Sequence, residues 1–363
     1  MERFDEMLKA MAEKEECIVP EGFDKRMQDV LDDLPPKAVK RGLGAVKGIL
    51  IAAAVCAALL CTAMAAYNIV RQSVTINPAQ TVQGILGNGR PSWERTEIYD
   101  ELGRLTYWPK RETVQVDAAQ AQALLGDYLP ESGYRWQIED YTLTVEGYVL
   151  DEYTGTAKFY YTLEHPGGFG DGAVDWELGL LNYTVYRGSV TFTTQSDADW
   201  PWISGRCYVD VSRSTEEKLC IVESAASLGG WKAEDGLRVK FTVHGETDRD
   251  DDVLSADLEL PGLKSLPTVS VPDPATRETV LELSAISLML KTEDMDLVDY
   301  IALDYADGTR YVVRDDANGL DNTDYGLGSG SRPNMILREV FNRLVNPSQV
   351  VGIHVDGKYY PVK

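Results

Sequence analysis

YTLTVEGYVLDEYTGTAKFYYTLE, residues 141–164, sets the fold class. In its first half Tyr141, Leu143 and Val145 alternate with Thr142, Thr144 and Glu146. In its second half Phe159, Tyr161 and Leu163 alternate with Lys158, Tyr160 and Thr162. A period of two puts each set on its own face of an extended chain. One apolar and one polar face is the pattern of an antiparallel strand with its second side in water. The pattern returns at 237–244, where Leu237, Val239, Phe241 and Val243 alternate with Arg238, Lys240, Thr242 and His244. Turn signals separate such runs: Pro166-Gly167-Gly168, Asp171-Gly172, Asp307-Gly308 and Asp356-Gly357.

Working outward from this stretch, two helices are expected. Asp117 caps one running to about Leu125. Pro333 at a first helical position opens the other, with Leu337, Val340, Phe341 and Leu344 on one face and Asn346-Pro347 at its end. The segment PGLKSLPTVSVPDPATR, 261–277, holds four prolines and reads as an extended linker or edge strand. It divides a first β-rich domain, 135–262, from a second, 263–363. Residues 72–134 read as a stalk with a short helix and a hairpin, Ile98 to Trp108, turning at Leu102-Gly103.

Upstream, GILIAAAVCAALLCTAMAAY at 48–67 carries no charge. A helix of that length spans roughly 30 Å, the thickness of a bilayer's hydrocarbon core. Ala63-Met64-Ala65 looks like a signal-peptidase site, but the region before the stretch is far longer than a leader allows. Lys37, Lys40, Arg41 and Lys47 precede the stretch and Arg71 stands alone after it, which predicts a cytoplasmic N-terminus and an extracellular remainder. The chain carries 35 basic and 58 acidic residues, a net of −23. Residues 1–47 hold 9 basic and 11 acidic groups, so most of the excess falls on the outer part. Such a balance argues against nucleic acid as a direct partner, and an acidic outer surface attracts cations.

The head, 1–47, has two apolar stripes at helical spacing, Phe4–Met7–Leu8–Met11 and Phe23–Met27–Val30–Leu31–Leu34. A piece this short cannot build much of a core, so the stripes call for a cover. Phe4, Leu8, Met11, Phe23, Met27, Val30 and Leu31 are therefore candidates for docking a cytoplasmic protein by helix-in-groove recognition. The alternative is a weak hairpin or helices lying on the membrane surface.

Chemistry-bearing motifs are sparse. No GxSxG or GxxxxGKS occurs. The chain has three His and five Cys, none in a CxxC or HxxH spacing. His244 and His354 fall on polar strand faces and His165 in a turn, so no catalytic residue and no cofactor are assigned. The runs Gly168 to Gly172 and Gly326 to Gly330 read as flexible loops. Cys207 and Cys220 flank a polar turn between two strands and are candidates for a disulfide across that hairpin, with two separate core thiols as the alternative. Asp316, Asn318 and Asp321, in an oxygen-rich segment turning at Gly319, are weak calcium candidates that lack the EF-hand's closing Glu. A second acidic run, Asp248 to Asp252, reads as a solvated loop. Trp200, Trp202 and Trp231 lie near loops, as core residues or as a carbohydrate or peptide platform.

Three stretches together resemble one family. VPEGFDKRMQDVLDDLP at 19–35 looks like a short cytoplasmic segment preceding a membrane helix. Residues 141–164 are similar to the strand–turn–strand signature of its outer domain. LELSAISLMLK and VVGIHVDGKYYPV within 278–363 look like its second β-domain. The chain thereby resembles the bacterial membrane-anchored domain of unknown function 4179 family of clostridia and relatives. The resemblance implies an anti-sigma role toward an extracytoplasmic-function sigma factor. The HxxxCxxC zinc signature of better-known anti-sigma domains is absent, so such a hold would run through residues 1–36 without metal. The expectation is a single-pass membrane protein with a helical head, one transmembrane helix at 48–68 and two β-sandwich-like outer domains. The competing expectation is an envelope-binding or adhesion module with an inert head.

Overall fold

A computed structural model describes residues 72–86, 92–99, 105–114, 117–182, 185–186, 188–194, 203–227, 232–244, 252–294 and 298–362. The protein is mainly β, built of antiparallel sheets with two short α-helices among the described residues. The chain divides at Asn68/Ile69, and Ile69–Lys363 forms one compact unit.

A six-stranded central sheet carries this unit. Its strands lie in the order Gln72–Val74, Gly133–Ile138, Tyr141–Asp151, Thr156–Glu164, Lys218–Ser227, Ile203–Val209. Residues 141–164 supply its two middle hairpin strands, registered Leu143↔Leu163 and Tyr148↔Phe159. A smaller three-stranded sheet, Asp252–Leu260, Leu237–His244 and Gly188–Thr194, covers one face. The apolar sets predicted from alternation meet there: Leu143, Val145, Phe159, Tyr161 and Leu163 pack with Leu237, Val239 and Phe241. Phe159 stacks on Phe192 with ring centroids 3.7 Å apart.

The other face corrects the sequence expectation. Lys158, Tyr160 and Thr162, read as wet, are all buried. Two helices and a second sandwich cover them. Helix α1, Pro78–Ile85, is capped by Asn77, and helix α2, Ala118–Leu125, by Asp117, whose carboxylate accepts from Gln120 N at 2.7 Å. Val82, Ile85, Ala121 and Leu125 press on Val149, Tyr160 and Val222 of the central sheet. Residues 72–134, expected as a stalk, thus supply an edge strand and two packed helices. They also supply the hairpin Thr96–Tyr99/Leu105–Trp108, after which Lys110 N donates to Gly319 O at 2.7 Å.

Residues 261–268, outside any helix or strand, connect to the distal sandwich, whose two five-stranded sheets enclose Leu283, Leu290, Ile301, Val313, Phe341 and Ile353. Asp356 (φ 48°) and Gly357 (φ 79°) turn one of its hairpins in the doubly left-handed geometry that Asp-Gly favours. The helix expected from Pro333 is instead the strand Asn334–Phe341, and Gly326 to Gly330 lie not in a loop but in its partner Thr323–Ser331. Strands flank Asn334–Phe341 on both edges and Leu337 through Phe341 are all buried. A strand covered on both faces shows no clean period of two, and its apolar residues then mimic helical spacing. Among the described residues no helix is long and apolar enough to cross a membrane; 48–67 lies outside them.

Candidate functional site

The two sandwiches meet at a seam of buried polar groups. Asp324, wholly buried on the Thr323–Ser331 strand, pairs with both Lys158 of the central sheet and Arg111. Ser224 Oγ donates to the same carboxylate at 3.0 Å, and Arg111 Nη1 donates to Thr323 O at 2.9 Å. The Arg111 guanidinium also lies 4.8 Å from the centre of the Tyr208 ring. A second seam joins the Asp151 turn to the distal sandwich. Thr154 Oγ1 donates to Asp151 Oδ2 at 2.6 Å, Thr156 Oγ1 bonds Ser287 Oγ at 2.7 Å, and Arg338 Nε donates to Thr154 O at 2.9 Å. Burial pushes the Asp151 carboxyl up against these bonds. Charges buried this way cost several kcal/mol each unless paired and bonded, so the seams fix where the sandwiches touch.

Beside the first seam opens a cleft of about 480 Å³, walled by Arg206, Arg314, Asp316, Asp321, Tyr325 and Glu339. Arg206 comes from the edge of the central sheet and the others from the distal sandwich. Arg314 divides its guanidinium between Asp316 (3.0 Å) and Glu339 (3.2 Å). Glu339 is 2 % exposed, and burial raises its carboxyl to about 8 despite the Arg314 charge. Opposite it stands Gly326, where a Cβ would come within 2.8 Å of Glu339 Oε2. The cleft therefore offers two guanidinium groups, two surface carboxylates and one carboxyl that keeps its proton near neutrality. It can hydrogen-bond a polar ligand at the junction of the two sandwiches.

The residues singled out in the sequence fare differently. Phe4, Leu8, Met11, Phe23, Met27, Val30 and Leu31 lie outside the described residues, as do Trp200, Trp202, Trp231 and Asp248 to Asp251. The strands bearing Cys207 and Cys220 do pair, but no disulfide joins the two. Cys207 lies opposite Glu223, three residues from Cys220, so the two side chains fall on opposite faces of the sheet. Cys207 Sγ donates to Glu223 Oε2 at 3.3 Å, and Cys220 Sγ to Arg213 O at 3.3 Å. Asp316, Asn318 and Asp321 do not converge on a common point: Asp316 holds Arg314, Asn318 bonds Asp315, and Asp321 accepts from Thr323 N and Oγ1. Among the described residues no group of three His, Cys, Asp or Glu is placed to hold a metal. His354 Nε2 bonds Asp304 at 2.8 Å, and His165 stacks on Tyr141 at 4.3 Å.

Glu223 and Glu339 escaped the sequence reading. Each sits at a polar position of an ordinary-looking strand, and only the covering layer makes it exceptional. Comparison with known proteins places no relative beside this arrangement: no family model, curated protein or solved structure matches the chain.

Proposed function

We propose that this chain is a single-pass membrane regulatory protein, anti-sigma-like in its working. Its head, through Phe4, Leu8, Met11, Phe23, Met27, Val30 and Leu31, holds an extracytoplasmic-function sigma factor in the cytoplasm, and its acidic β unit faces the envelope. One observation carries the reading. The charge-free stretch 48–67 is long enough to span a bilayer and stands shortly before the described β unit, which starts at Gln72. The charge pattern supports it, with basic residues crowded before that stretch and the acidic excess after it. The junction cleft supplies the outer unit with a place for a stimulus to act, because a ligand there touches both sandwiches. A ligand alters the output only if it binds the holding and releasing states with different affinity.

Deleting residues 1–36 from the full chain tests this. The expected result is a several-fold rise in transcription from a promoter served by the extracytoplasmic-function sigma factor the head is proposed to hold, with the truncated protein still in the membrane fraction. Unchanged transcription from that promoter overturns the anti-sigma role and leaves the envelope-binding module with an inert head. Recovery of the full-length, unprocessed chain in the detergent-free soluble fraction overturns both.

A further inference from the structure

The small sheet and the central sheet separate beside the Ile203–Val209 edge, leaving a second cavity of about 290 Å³. Tyr161, Tyr186, Ser189, Thr191, Cys207 and Glu223 line it. That volume is at the lower end of ligand pockets, about 300–1,000 Å³, so its occupant is small. Glu223 is 5 % exposed. Both of its side-chain hydrogen bonds fall on one oxygen: Tyr161 Oη donates to Oε2 at 3.2 Å and Cys207 Sγ at 3.3 Å. The other oxygen, Oε1, is turned toward Gly205, where a Cβ would come within 2.9 Å of it. The absent side chain leaves Oε1 open to the cavity. No Lys, Arg or His among the described residues forms an ion pair with Glu223, in contrast to Asp324, which holds both Arg111 and Lys158.

We infer that this cavity binds a small organic ammonium compound, its cationic nitrogen seated on Glu223 Oε1 and its carbon skeleton against Tyr161 and Tyr186. An ammonium group brings the charge a buried carboxylate lacks, and its remaining N–H bonds find acceptors in the hydroxyls of Ser189 and Thr191. Phenol rings favour a cation over their faces. An anion would meet the carboxylate and a chain of net charge −23. A hard metal ion would find one carboxylate with a thiol and phenols, not the oxygen cage it requires. Burial holds the Glu223 carboxyl at about 7, so an arriving cation displaces a proton near neutrality. The site is independent of the regulatory reading: it would serve a sensor as input and an adhesion module as its ligand pocket.

Calorimetry on the full-length chain tests the assignment, with methyl-, butyl- and ethanolammonium chloride as probes and n-butanol as the uncharged counterpart of the second. At least one ammonium compound is expected to bind one to one, releasing protons at pH 6.5 as judged from buffers of different ionisation enthalpy. Its affinity should fall roughly tenfold per pH unit below about 7, and Glu223→Gln should weaken it at least tenfold with an unchanged melting profile at pH 6.5. The assignment is overturned by silence from all three compounds, by butanol binding as tightly as butylammonium, or by binding that survives Glu223→Gln. Should that variant fail to fold, the wild-type proton count decides alone: release supports the site, and none or uptake overturns it.

Discussion

Glu223 and Glu339 keep their protons in the folded protein to about 7 and about 8, against an ordinary 4.5 in the unfolded chain. Between those values the folded state binds more protons than the unfolded one, so its stability falls as pH rises. This contribution is fully present below 4.5 and is lost as pH climbs through 7 and 8, the reverse of a salt-bridged carboxylate. Asp151, also raised by burial, acts in the same direction. Asp273, held down at about 2 by Lys358 and two backbone amides, titrates in a separate acid window and does not offset the trend. At 1.4 kcal/mol per unit the upper bound is roughly 3–5 kcal/mol for each buried Glu. Urea midpoints are expected to drop between pH 5 and pH 8.5, and the double variant Glu223→Gln/Glu339→Gln should flatten that slope. A midpoint that stays level or climbs over the range would contradict the assigned protonation.

Helix α1 shows how packing reverses a local preference. Ala is favoured over Gly inside a helix by about 1 kcal/mol, so Gly84→Ala should stabilise α1 if the helix were judged alone. At Gly84, however, a Cβ would lie 2.4 Å from the Tyr160 ring, itself buried between helix and sheet. The buried ring must shift to admit it, and overpacking of this kind costs about 1–3 kcal/mol. The expected outcome is net destabilisation of Gly84→Ala in chemical unfolding, relieved when Tyr160→Leu is added. A gain in stability would show that α1 can slide off the sheet. Asp117, by contrast, was legible in advance: a short acceptor before an apolar run is a local cap signal, and no distant partner was needed to find it.

Across the compact unit, the Arg111–Asp324–Lys158 seam ties parts of the chain more than 150 positions apart. Asp324→Ala leaves two cations buried at the junction without their carboxylate, a change that costs about 3–5 kcal/mol. The loss should fall on both sandwiches, since one partner sits in each. Unfolding followed separately by Trp136 fluorescence and by exchange of the Ile301 and Ile353 amides should shift together. Destabilisation confined to the distal sandwich would mean that the seam is ornamental to the first.

The strand repertoire, the Asp-Gly hairpins and the α2 cap were readable from residues 141–164, 237–244, 307–308, 356–357 and 117, because each depends on neighbours a few positions away. What covers the second face of the central sheet was not. Whether Lys158 meets water or Asp324, whether 334–341 coils or extends, and whether Cys207 meets Cys220 or Glu223 all depend on layers contributed by remote segments. A period of two names two faces of a strand, and only the assembled sheets determine which of them stays in solvent.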